Sequence, residues 1–180
     1  FGRNWRKTRL FNRKGLADAI NLHDLWPSEG ESYRLDLPAL AGRLVDLLDS
    51  NSKAILTCRN KVDIIPETIE ALDMICADSE AARHHIHLEY FSIASDKTGQ
   101  RVNDLLIKKA AQGVEVRFIY DDVGCWNLRP SFKRELRAAG VMFVPFMPVW
   151  IPFLNSRANY RNHRKIVIVD GQRGYLGGLN

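Results

Sequence analysis

Near the end of the chain, His163, Lys165 and Asn180 combine a nucleophile, a cation and a neutral hydrogen-bond donor within one short stretch. If the segment from His163 is extended, side chains alternate between faces, and His163 and Lys165 project together. An imidazole beside an ammonium makes a site for an anionic centre. Gly177 and Gly178 let the backbone approach a ligand closely, and Asn180 adds a donor. The set suits displacement at a phosphodiester, which needs a nucleophile, a cation and donors for the non-bridging oxygens. Asp170 falls on the opposite parity from His163 and stands directly before Gly171. Its expected role is to fix a hairpin and support the site, without contact to phosphorus.

Two other clusters invite a chemical reading. His85, His87 and Glu89 share one face of a strand and could hold a metal, but a metal site usually needs a fourth ligand and a matched outer shell. Packing at the edge of a sheet is the preferred reading for His85, and no metal is assigned. Tyr120, Asp121 and Asp122 stand at the carboxyl end of a strand, where α/β proteins place ligands. Asp121-Asp122 reads either as a magnesium pair or as a turn and helix cap. Glu89, Tyr120 and Asp121 are expected near substrate, together with Gly177 and Gly178.

The elements that must position these residues follow from periodicity and punctuation. Pro38 precedes a short amphipathic helix with Leu40, Leu44, Leu47 and Leu48 on one face. Ala54–Thr57 and Val62–Ile65 read as short strands, and Pro66 opens a helix with Ile69, Leu72, Ile75 and Cys76 inward. A strand over Ile86–Ile93 is followed by a helix from Gly99 to Gly113. Then come a strand over Val114–Tyr120, a helix from Pro130 to Gly140 and a strand over Val141–Val144. Ile166–Val169 forms the last long strand, with a turn at Asp170-Gly171 and a return through Tyr175-Leu176. Helix-ending glycines before Val114 and Val141 mark crossover units. The fold class is therefore α/β, a helix–sheet–helix sandwich whose sheet is mixed, largely parallel and buried on both faces.

Composition bounds the partners. The net charge is +5, but Arg3, Arg6, Lys7, Arg9, Arg13 and Lys14 supply +6 with no acid among residues 1–14, so the remainder is slightly acidic. The division expected is a basic leader over residues 1–50 and a catalytic body over 51–180. A basic leader suits an anionic lipid surface, or the flank of a membrane-spanning helix. A nuclease would carry positive charge across the body to track phosphates, so nucleic acid is not the expected partner. Cys58, Cys76 and Cys125 are odd in number and form no CxxC, which excludes a disulfide scaffold or zinc ribbon. No apolar run spans a bilayer, since Pro145, Pro148 and Pro152 interrupt the longest. Trp150–Leu154 reads equally as a membrane-interface loop or a buried connection. The chain opens on Phe1 and closes just after a glycine pair, which reads as a segment of something longer.

His163-x-Lys165, four residues, Asp170, six residues, then Gly177-Gly178-x-Asn180 resembles the signature of the phospholipase D superfamily. Further stretches resemble bacterial cardiolipin synthases: Asn159–Lys165, Tyr120–Gly124, His85–Tyr90, Phe146–Pro148 and the opening Phe1–Asn4. The resemblance implies a phospholipase D-like fold, two such motifs in the whole enzyme and transmembrane helices ahead of the leader. It implies phosphatidyl transfer through a phosphohistidine on His163, using phosphatidylglycerol and no cofactor. It also implies that Glu89 orients a catalytic histidine. The second catalytic half, or a symmetric copy, would be the partner, and the enzyme would sit in a bacterial cell membrane with its catalytic part on the cytoplasmic side. The alternatives are a phosphodiesterase or nuclease of the same superfamily, or a non-catalytic half that binds phosphate.

Overall fold

The computed structural model describes residues 38–52, 56, 60–146, 148 and 161–180. The basic residues 1–14, the expected strand Ala54–Thr57 and the Trp150–Leu154 segment lie largely or wholly outside the described residues. The chain divides into two compact units, Phe1–Asp63 and Ile64–Asn180. In the first, helix α1 (Ala39–Ser52) carries the expected stripe of Leu40, Leu44, Leu47 and Leu48, all exposed.

The second unit runs α2 (Thr68–Ala81), β1 (His85–Tyr90), α3 (Lys97–Ala111), β2 (Glu115–Asp121), α4 (Pro130–Ala138), β3 (Met142–Phe146), β4 (Lys165–Val169) and β5 (Arg173–Leu176). Local chemistry explains most of these boundaries. Asp96 caps α3, its carboxylate accepting the Gly99 N–H at 2.8 Å, which satisfies a donor that the helix leaves open. Lys108 and Lys109 sit in the last turn of α3, where the helix dipole favours cations. Pro130 starts α4 at a position that needs no N–H.

Helices α3 and α4 end the same way. Gly113 and Gly140 both take φ 87°, a left-handed conformation that costs a residue with Cβ. Val114 N–H then returns to Lys109 O at 3.1 Å and Val141 N–H to Leu136 O at 3.0 Å. Each glycine thereby turns the chain into a buried valine that leads into the next strand.

The strand order is β3-β2-β1-β4-β5. Pairs β1–β2 and β2–β3 are parallel, whereas β1–β4 and β4–β5 are antiparallel. The sheet is thus evenly mixed, less parallel than the glycine-ended crossovers suggested. The short turn at Asp170–Gln172 forces β5 to run back along β4.

Burial alternates strictly on β2. Val116, Phe118 and Tyr120 are buried, while Glu115, Arg117 and Ile119 face outward. Helices α2, α3 and α4 pack against β4, β2 and β3. The core is formed by Leu106, Phe132 and Leu136 of the helices with Ile86, Leu88, Val116, Phe118, Phe143 and Val167 of the sheet. The other face carries accessible Ile119, Met142, Val144 and Ile168. Among the described elements of this unit, helices therefore cover one face of the sheet, where the sequence led us to expect two.

A second departure is Val62–Ile65, which is not a strand. Val62 is 82% and Ile64 90% exposed, and among the described residues no strand pairs with this short apolar run. The helix expected from Pro66 begins at Thr68, and β1 ends at Tyr90, three residues early.

Candidate active site

Strand β4 begins at Lys165, and His163 lies in the extended segment just before it. Lys165 belongs to the core-facing row of β4 with Val167 and Val169, and its side chain is only 5% exposed. It pairs across β1 with Tyr90. The apolar row thus ends in an ammonium at the edge of the core.

That ammonium turns back to His163. Lys165 Nζ lies 3.1 Å from His163 Nδ1 and 3.2 Å from Nε2, and it donates to the His163 carbonyl at 3.2 Å. The Phe91 ring lies against the imidazole with centroids 4.7 Å apart, and Lys165 Nζ stands 5.6 Å from the centre of the same ring. Every one of these partners lacks formal negative charge. A desolvated ammonium in neutral surroundings is an electrostatic invitation to an anion.

The peptide carrying His163 is fixed from behind. Asp121, fully buried at the end of β2, accepts the Asn162 N–H on Oδ2 at 3.0 Å and Arg161 Nη1 on Oδ1 at 3.2 Å. Oδ1 also accepts the N–H groups of Val123 and Gly124, both at 3.0 Å. Asn162 donates from Nδ2 to Glu89, and Arg164 approaches Glu89 at 4.0 Å. The turn after Asp121 presses on Phe91. A Cβ on Gly124 would stand 2.1 Å from the Phe91 carbonyl oxygen, and the Cys125 thiol donates to that oxygen at 3.7 Å.

The remaining expected site residues fall in several places. Asp170 lies at the far end of β4, where its carboxylate accepts three N–H groups, from Arg83 at 2.9 Å, His84 at 2.8 Å and His85 at 3.0 Å. These bonds hold its pKa down at about 2, and they fix the start of β1 to the β4–β5 turn. Gly177 N–H donates to Lys165 O at 3.3 Å, and a Cβ on Gly177 or Gly178 would meet nothing within 4 Å. Asn180 is exposed at the rim of a cavity of about 150 Å³. Tyr90, Ile93, Leu72 and Leu179 line its apolar part, and burial pushes the Tyr90 phenol up to about 12.

Three expectations change. Tyr120 is buried, stacked on Phe143 with ring centroids 4.2 Å apart, so it serves the core and not a substrate. Asp121 is fully buried and accepts four protein donors, three on Oδ1 and one on Oδ2, so it holds the segment ahead of His163 and does not face solvent. Glu89 engages Asn162 and Arg164, so the histidine is approached only through its neighbour. His85, His87 and Glu89 do not converge: the two rings lie together at 4.6 Å while His87 turns to Glu115 at 3.3 Å. Among the described residues no group of His, Cys, Asp and Glu has the geometry to hold a metal. Phe91, Arg161 and Asn162 were not singled out from the sequence as site residues. Arg161 and Asn162 stood within the Asn159–Lys165 stretch that carried the resemblance, and Phe91 only followed the stretch His85–Tyr90.

The family model described as cardiolipin synthase, phospholipase D-like domain matches residues 75–180. A cardiolipin synthase from Geobacillus sp. (strain WCH70) is 40% identical over the whole chain, which covers 36% of that relative. Cardiolipin synthase 2 of Bacillus anthracis is 41% identical, with 35% of it covered, and the major cardiolipin synthase of Bacillus subtilis (strain 168) is 38% identical, with 39% covered. The chain thus spans little more than a third of these relatives. Among solved structures, NucT from Helicobacter pylori overlaps 68% of this chain and 74% of its own at TM-score 0.49 and 20% identity, too partial a likeness to decide between chemistries. On the family match and the full-length similarity, the chain belongs to the phospholipase D-like domain family of cardiolipin synthases.

Proposed function

We propose that the chain forms the first catalytic half of a phosphatidyltransferase that makes cardiolipin from phosphatidylglycerol. The observation that carries this reading is the buried Lys165 ammonium, held against His163 by partners that, among the described residues, are neutral. A phosphodiester anion supplies the missing charge. Lys165 stabilises the non-bridging oxygens while the imidazole attacks phosphorus in line with the departing glycerol. Asn180 and the Gly178 backbone are the further donors this reading assigns to the phosphodiester.

The first step forms an N–P bond on His163 and breaks the P–O bond to glycerol, whose alkoxide takes a proton from an acid on the opposite side. In the second, that group, now a base, takes the proton of a hydroxyl of another phosphatidylglycerol, whose oxygen bonds to phosphorus as the N–P bond breaks and frees the imidazole. The acid belongs to a second His-Lys-Asn set, from the rest of the chain or from a symmetric copy. The acidic body and basic leader support a lipid surface over nucleic acid as the place of work, in a bacterial membrane with the catalytic part on the cytoplasmic side. Among the described residues no helix is long and apolar enough to cross that membrane.

The test uses the full-length protein in detergent with labelled phosphatidylglycerol. Wild type should form cardiolipin and a transient acid-labile phosphohistidine, and His163→Ala should lose both. Wild-type levels of phosphohistidine in His163→Ala would refute the assignment. Cleavage of single-stranded DNA without cardiolipin formation would favour the nuclease alternative.

A further inference from the structure

Asp121 is the only acidic side chain among the buried residues described, and it accounts for both supports of His163. A carboxylate has about four lone-pair sites. Here four protein donors meet it: Val123, Gly124 and Arg161 on Oδ1 and Asn162 on Oδ2. The carboxylate is fully buried, so its bonds are spent inside the fold. We propose that Asp121 is a positioning residue for His163, holding the imidazole from its backbone and from its ring face at once. This assignment rests on the reading of His163 as the nucleophile.

The two arms are separate in space and meet at one carboxylate. Oδ2 tethers the Asn162 N–H, one peptide before His163. Oδ1 builds the turn through Gly124, and that turn seats the Phe91 backbone, whose ring backs the imidazole. Without the tether, an exposed histidine ahead of a strand has rotational freedom about its own backbone. A nucleophile must meet phosphorus along one line, so an ångström of drift is costly. Placing the restraint in a buried carboxylate also makes it rigid, since neither oxygen competes with water.

The two oxygens divide the roles in a way that substitution can separate. In Asp121→Asn the remaining oxygen keeps the Val123 and Gly124 bonds, because an amide oxygen accepts as a carboxylate does. The new NH2 group then faces the Asn162 N–H, donor against donor, and the attraction for Arg161 is lost. Phe91→Leu tests the other arm, leaving the backbone of the turn untouched.

Both variants are made in the full-length protein. Each should lower kcat for cardiolipin formation about ten- to hundredfold, with KM changed less than about threefold. A second readout is independent of lipid turnover: the rate at which diethyl pyrocarbonate modifies His163, followed by peptide mass spectrometry. That rate should rise several-fold in both variants as the ring is released from Phe91 and Lys165. If the His163 modification rate stays within twofold of wild type in both, the positioning role is overturned. A rise in KM that matches the fall in kcat/KM, with kcat unchanged, would also overturn it. A wild type that makes no cardiolipin would remove the nucleophile reading, while the modification rates would still report whether Asp121 and Phe91 hold the ring.

Discussion

Lys165 opens strand β4 and Asp170 follows its end, and their environments differ. Lys165 ends the buried row of β4 beside His163 and Phe91, and the proposed function gives its charge to an incoming anion. Asp170 spends its charge on three backbone N–H donors of residues 83–85. Its carboxyl is held at about 2 against the usual 3.8, first by the Arg83 N–H and then by those of His85 and His84. A depressed carboxyl pKa stabilises the folded state fully above the unfolded value, and the contribution is lost as pH falls through the folded one. Asp170→Asn should therefore melt below wild type at pH 7. Its melting temperature should also fall less steeply than that of wild type between pH 4 and 2. Thermal unfolding in detergent across that range checks both; parallel curves would mean that Asp170 contributes no charge-dependent stability. His163 and Lys165 were legible from spacing, and so was the hairpin role of Asp170. Asp121 was not, because a buried anchor and a ligand-binding carboxylate look the same in a sequence.

At the scale of elements, glycine separates packing from chemistry. Gly124 lies so close to Phe91 that a Cβ would overlap its carbonyl oxygen, whereas Gly177 and Gly178 stand in open space. Gly124→Ala must displace the turn or β1 and should destabilise the protein by about 1–3 kcal/mol, as overpacking does. Gly178→Ala should change stability by less than about 0.5 kcal/mol. If the glycine pair lies against bound phosphodiester, Gly178→Ala should still reduce transfer. Denaturant midpoints and initial rates on the two variants make the comparison, and equal stability losses would refute the packing argument. Helix α3 and its Asp96 cap, and the glycine ends of α3 and α4, follow from local signals. The Val62–Ile65 segment misled because short apolar runs become strands only beside a partner.

For the molecule as a whole, the proposed mechanism sets a requirement: with His163 and Lys165 on one side of phosphorus, in-line displacement needs an acid on the other. The chain also spans only 36% of the Geobacillus relative it matches. The purified 180-residue chain should therefore show no sustained cardiolipin formation as a monomer. Initial rates over a wide range of chain concentration, alongside the full-length protein, test this. Activity that stays first order in chain at low concentration would establish a self-sufficient site.

Residue types and their spacing determined the family resemblance, the pairing of His163 with Lys165, the order of helices and strands and the helix ends. All of these depend on near neighbours in the chain, on periods of two or three to four residues, and on backbone conformations that few side chains tolerate. Tertiary structure alone decided which strands run antiparallel and which sheet face is covered. It also decided that Tyr120 packs in the core, that Asp121 binds the Asn162 N–H and that Phe91 lies against the His163 ring. Those facts join residues dozens of positions apart, such as Asp121 Oδ2 with the Asn162 N–H at 3.0 Å. No local rule fixes which distant donor fills a buried acceptor; only the closed fold, with water excluded, makes that choice.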